Sequence, residues 1–255
     1  MMMPNNAHFS KCFWGAASAE NFQENVKALI WSEFGSLSDT FMGDNLIAIG
    51  RNLSFLNDEK FMEAFRSVIT PDNVPGQGII WRIYTLCWAA KTSLKRGGDF
   101  VECGVSTGTS AKIMCEYLNS EDFSNNVWLY DVFRIDPRVD TSIYFGSSSS
   151  ILDEVTGRFA PFPNVRIVPG YVPESFELNS PASISFLHLD LHDTASEIAA
   201  LDALFDRVTP GGIVLFDDYG ATGFQKQKAA EDEWMERRGQ VILELPTGQG
   251  LVVKL

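Results

Sequence analysis

The chain changes its hydrophobic rhythm once, near Gly98. Before that point apolar residues recur at helical spacing. Residues 18–34 and 57–68 each predict an amphipathic helix, the second carrying Phe61, Met62, Phe65 and Val68 on one side with Asn57 or Asp58 as its N-cap. Residues 70–78, TPDNVPGQG, are a turn-rich break. A longer helix over 79–94 then directs Ile80, Ile83, Tyr84, Cys87 and Trp88 toward a core. Nothing before about residue 95 carries a strand pattern, so a helical lead-in or lid is expected over 1–77 and a second domain over 78–255.

After Gly98 short apolar runs alternate with helical segments, the signature of a mainly parallel sheet covered on both faces. The expected strands are 100–103, 127–130 closed by Asp131, 165–168 ending in Pro169 and Gly170, 184–191, and 213–216 ending in Asp217 and Asp218. Helices are expected at 110–118, at 194–208 with Ile198, Leu201, Leu204 and Phe205 on one face, and at 225–238. Residues 210–212, Pro-Gly-Gly, break the second of these. Runs at 240–245 and 251–255 flank a turn too short for a crossover, so they pair antiparallel. The fold class that follows is α/β: a doubly wound, Rossmann-like sheet, mostly parallel, with a C-terminal antiparallel hairpin and an N-terminal helical segment. The serine run 147–150 reads as a mobile loop without chemistry.

Composition narrows the function. The 255 residues, 45% hydrophobic and 21% charged, suffice for one sizeable core. A net charge of −13 leaves no basic field for a nucleic acid backbone, which points to a small-molecule partner. Cys12, Cys87, Cys103 and Cys115 form no C-x-x-C pair and read as free buried thiols of a reducing compartment. No apolar run is long enough for a membrane span, and the N-terminus lacks the pattern of a signal peptide, so a cytoplasmic location is expected.

The candidate chemistry begins with residues 98–111, GDFVECGVSTGTSA. An apolar strand runs into a tight loop and a helix N-terminus. Gly104 permits a positive φ and close approach of a ligand, and the helix opening at Gly108, Thr109 and Ser110 offers unpaired N–H groups. An ordinary strand-to-helix turn would look similar. The order Glu102-x-Gly104-x-x-x-Gly108 differs from the G-x-G-x-x-G spacing of a dinucleotide fingerprint. It resembles motif I of class I S-adenosylmethionine (SAM) methyltransferases. That resemblance implies Glu102, Gly104, Val105, Gly108 and Ser110 as cofactor contacts, with the Glu102 carboxylate near the cationic methionine end.

Ligands of open α/β sheets bind beyond the C-terminal strand ends, and there the chain gathers carboxylates. Asp131, 27 residues after Gly104, can accept both hydroxyls of a ribose, or else cap a loop. Gly170, opening GYVPES, can flank an adenine. Asp190, Asp217 and Asp218 would repel one another unless a cation joined them, which suggests Mg²⁺; solvated loop aspartates are the alternative. Alternation along a strand places His188, Asp190 and His192 on one face. His192 is then a candidate general base, or a histidine bonded to a neighbouring loop, and His188 a core or supporting residue.

Several blocks together resemble the macrocin O-methyltransferase family, which methylates sugar hydroxyls of antibiotic precursors. They are WRIYTLCWAAKTSLKRGGDFVECGV, the Asp131-Val132-Phe133 step, LHLDLHDTASEIAALDAL and TPGGIVLFDDYG. The resemblance implies SAM at Glu102, Gly104, Gly108 and Asp131, Mg²⁺ at Asp190, Asp217 and Asp218, and a hydroxyl acceptor. One position departs from the pattern: where the family has Asp-x-Asp-Leu-Tyr, with the second aspartate as the proposed base, this chain has Asp190-Leu191-His192-Asp193-Thr194. Catechol-type phenol methylation and a non-catalytic SAM-binding module stay open as alternatives. The N-terminal helices would roof the pocket or join copies of the chain, and a homo-oligomer is expected.

Overall fold

The computed structural model describes residues 6–119, 123–134 and 150–255. The chain divides into two compact units, Met1–Thr85 and Leu86–Leu255. In the first, β1 (His8–Phe9), α1 (Ala19–Phe34), β2 (Thr40–Gly43), β3 (Leu46–Ile49), α2 (Glu59–Val68) and α3 (Val74–Gly78) follow in order. The Ser18 hydroxyl caps α1 by accepting the Asn21 N–H, and the Asp58 carboxylate caps α2 by accepting that of Phe61. The expectation of helices alone is corrected by the sheet, in which β2 pairs parallel with β1 and antiparallel with β3. Strands of two to four residues are too short to display a period of two. The informative signal was Asp44-Asn45 after Gly43: both adopt positive φ (50° and 56°) and close a two-residue hairpin.

The division falls inside α4 (Ile80–Ser93). Ile80, Ile83, Leu86, Cys87 and Ala90 form its buried stripe. Trp88, expected in the core, is 46% exposed, because one residue past Cys87 turns it about 100° off that stripe.

The second unit runs β4 (Asp99–Cys103), α5 (Thr109–Leu118), β5 (Val127–Asp131), α6 (Ile151–Phe159), β6 (Val165–Pro169), α7 (Ser175–Leu178), β7 (Ile184–Leu189), α8 (Thr194–Leu204), β8 (Val208–Phe216), α9 (Gln225–Glu236), β9 (Leu243–Glu244) and β10 (Gly250–Val253). The sheet order is β6-β5-β4-β7-β8-β10-β9, parallel through β8, with β10 antiparallel to both β8 and β9. Connections leave β4 toward β5 on one side and later strands lie on the other, so the order reverses between β4 and β7. That reversal opens a crevice at the C-terminal ends of these two strands. The doubly wound α/β class with a closing hairpin is therefore as expected.

Several boundaries moved: α8 ends at Leu204 rather than 208 and β9 covers only Leu243–Glu244 of the expected 240–245. β7 stops at Leu189 rather than 191, so Asp190 and His192 follow the strand and the alternation argument does not apply to them. β8 begins at Val208, and residues 210–212 lie within it at an irregularity of the pairing with β7, where Gly211 takes φ 77°. A bulge of this kind lets a strand carry Pro and Gly that would otherwise break it. Of the serine run, residues 147–149 lie outside the described residues, while the Ser150 hydroxyl caps α6 by accepting the Asp153 N–H. No helix among the described residues is long and apolar enough to cross a membrane.

Candidate active site

The loop after β4 is held by contacts that only glycine permits. Gly104 takes φ 91°, and a Cβ there would sit 1.8 Å from the backbone oxygen of Asp190 and 2.5 Å from its carbonyl carbon. The tips of β4 and β7 thus touch backbone to backbone, which brings the glycine loop and the acidic segment after β7 together. Because no flexible side chain can yield, Gly104→Ala should cost about 3 kcal/mol of stability, combining overpacking with an unfavourable φ. The urea midpoint reads this; an unchanged midpoint would mean the two tips do not meet as described. Gly108, at φ 77°, caps α5, and a Cβ on it would press on the Phe159 ring.

Asp131 ends β5 with both carboxylate oxygens engaged. Oδ2 accepts the N–H of Ser106 at 2.7 Å and Oδ1 that of Phe133 at 2.7 Å. Both donors sit on non-glycine residues with positive φ, 51° and 47°, so the carboxylate supports two strained turns at once. Burial raises its pKa and these N–H groups oppose the rise. Each oxygen keeps a lone pair for a further donor. Gly170 lies beside it, its N–H donating to the Asp131 carbonyl at 2.9 Å. Sequence reasoning passed over Arg158, whose guanidinium donates to the Thr109 hydroxyl at 3.3 Å and places a cation beside the glycine loop.

Across the crevice, Asp190, His192 and Asp218 form the one group among the described residues whose potential ligand atoms lie within 4.8 Å of one another. His192 takes φ 53° in the turn after β7, which carries its ring over the rim. Its Nε2 lies 2.9 Å from Asp190 Oδ1 and 2.7 Å from Asp218 Oδ2. The two carboxylates push its pKa up to about 11. Phe224, just before α9, packs against the imidazole with ring centres 5.3 Å apart. Burial raises the Asp190 pKa and the Asp217 charge adds to it, while His192 opposes both.

Asp217 stands outside this group. Its Oδ1 accepts the side-chain N–H of Gln249 at 3.0 Å, because β10 enters the sheet with Gly250 opposite Phe216. The turn 246–250 delivers that amide, and nothing in its sequence announced it. The same Oδ1 lies 3.7 Å from His188 Nε2, and His188 Nδ1 lies 3.5 Å from Glu102 Oε1. Both distances indicate ion pairing rather than close hydrogen bonds. Burial alone would lower the His188 pKa, but Asp217 and Glu102 outweigh it and hold the ring well above its ordinary range. Glu102 is pushed up by burial. A line of titratable groups thus runs from Glu102 on β4 through His188 on β7 to Asp217 just after β8, the first two buried and the third half-buried.

The donors suit a hard divalent cation. Two carboxylate oxygens converge on one point now spanned by an imidazole N–H, the spacing a shared positive charge requires.

Residues 89–240 match the family model for macrocin O-methyltransferase (TylF), well over half of the chain. The chain belongs to the macrocin O-methyltransferase family. A 4'-O-methyltransferase of Streptomyces olivaceus that acts on 8-demethyl-8-(2,3-dimethoxy-alpha-L-rhamnosyl)-tetracenomycin-C is 28% identical over 156 residues, 54% of this chain and 60% of that protein. The demethyldecarbamoylnovobiocin O-methyltransferase of Streptomyces niveus is 28% identical over 138 residues, 48% of this chain and 53% of the relative. This chain therefore spans little more than half the length of either. Among solved structures, the O-methyltransferase NovP superposes with a TM-score of 0.59 at 20% identity, over 70% of this chain and 81% of NovP, a likeness of fold.

Proposed function

We propose that this protein transfers a methyl group from SAM to a hydroxyl of a sugar or glycosylated natural product, with the methyltransferase domain over about 78–255. One observation carries the reading: the Asp190 backbone packs directly on Gly104, so a cofactor on the glycine loop and an acceptor at the Asp190, His192 and Asp218 rim share one crevice. Family membership and the sugar-bearing substrates named for its relatives support the acceptor class.

In this reading Glu102, Gly104, Val105, Gly108 and Ser110 cradle SAM, with Asp131 and Gly170 at its nucleoside end. Asp190 and Asp218 would hold Mg²⁺, with Asp217 engaged by the Gln249 amide. The ion would supply positive charge that lowers the pKa of a nearby acceptor hydroxyl. His192 accepts the hydroxyl proton as the acceptor oxygen bonds the methyl carbon and the carbon–sulfur bond breaks. With its two carboxylate neighbours uncompensated His192 keeps its own proton. Once those charges are compensated, the imidazole returns toward its ordinary range and can act as a base. Most of the rate then comes from positioning two reactants in one crevice.

The test is methyl transfer from labelled SAM to acceptors carrying a deoxysugar with adjacent free hydroxyls, against catechols in parallel. Product from the sugar acceptors alone supports the proposal. Product from catechols alone replaces the acceptor class, and SAM binding without product from either favours a binding module.

A further inference from the structure

Two carboxylates that the methyl transfer does not use lie beneath the rim. Glu197, in the first turn of α8, and Glu231, in α9, are both fully buried, and the two helices pack against each other. Glu197 Oε2 accepts the N–H of Leu191 at 3.3 Å, the residue between Asp190 and His192. Its other oxygen, and both oxygens of Glu231, make no close hydrogen bond, the Gln227 amide lying near Glu231.

An ionised carboxylate is costly to bury without close partners, and two near each other cost more; protonation is the cheaper state. The charges around them confirm the imbalance. Glu197 faces Glu231 and Asp190, with His188 as its nearby cation; Glu231 faces Asp232 and Asp218, with Lys228 and the Gln227 amide opposing. Burial, the largest cause for both, pushes Glu231 up to about 7 and Glu197 well above its ordinary range.

We propose that Glu197 is a positioning residue that fixes the 190–192 turn through the Leu191 N–H, and that at most one of Glu197 and Glu231 is ionised in the folded protein at neutral pH. Its catalytic consequence rests on the function proposed above; the charge state and the anchoring do not.

Three variants test it: Glu231→Gln, Glu197→Gln and Glu197→Leu. The folded pKa values lie above the unfolded ones, so the folded state binds more protons between about pH 4.5 and pH 7 and the wild type loses stability as pH rises through that window. Glu231→Gln removes the Glu231 share of that loss. Its urea midpoint should exceed the wild-type value near pH 8 and match it near pH 5. A pH dependence identical to wild type would overturn the charge state. Glutamine at 197 still offers an oxygen to the Leu191 N–H and leucine does not. Hydrogen exchange at the Leu191 amide should therefore stay slow in Glu197→Gln and speed up about tenfold or more in Glu197→Leu. In Glu197→Leu kcat should fall about tenfold with SAM affinity kept, and Glu197→Gln should restore it. Unchanged Leu191 exchange in folded Glu197→Leu would overturn the anchoring. Expected exchange and stability with no methyl transfer by the wild type would instead refute the proposed function and leave this inference standing.

Discussion

His192→Asn should lower turnover by about 10²–10⁴-fold while SAM binds as before, the range for loss of a general base. Asparagine is the informative replacement, since it tolerates the left-handed φ of 53° and preserves the turn that an alanine would strain. The loss then reports the imidazole alone. His192→Asp should recover part of the activity, because it supplies the carboxylate that the family pattern carries at this position. Its ascending pH limb should move to lower pH, as a carboxylate gives up its proton below the range of an imidazole. Full turnover in His192→Asn would remove the residue from the chemistry.

The central strands of the main sheet were legible because they are buried on both faces and read as apolar runs such as IVLF, each punctuated by glycine or aspartate at the end that matters. The meeting of Asp190 with Asp218 was legible for the same reason, being fixed by strand order and not by side-chain detail. His192 was expected at the rim from strand alternation, which does not hold there. β7 ends before it, and a left-handed turn, not strand alternation, brings its ring to the carboxylates.

What the sequence hid depends on tertiary approach. Gln249 looks like a turn residue until β10 is paired with β8. Glu231 sits in a helix rich in charge and Glu197 in the first turn of an otherwise apolar helix, both places where a glutamate ordinarily faces water, and the packing of α8 on α9 accompanies their burial. Arg158 reaches Thr109 across nearly fifty residues of chain. The small N-terminal sheet escaped notice because periodicity needs more residues than its strands contain.

Removing divalent cations with EDTA should reduce turnover about 10²-fold or more, reversed by added Mg²⁺, while SAM binding persists. The three aspartates should then separate. Asp190→Asn and Asp218→Asn each take a carboxylate from the point where two now converge, so each should raise the Mg²⁺ concentration needed by roughly 10²-fold or more. Asp217 is committed to Gln249, and its loss should act at one remove, within about 10-fold to 10²-fold. Equal damage from all three would make Asp217 a ligand in its own right, with the Gln249 contact giving way when the ion binds. Full turnover in chelator would lead elsewhere. A protonated His192 between two carboxylates would then be the only positive charge in the group, and a group that keeps its proton cannot also be the base, so the acceptor proton would have to leave by another residue.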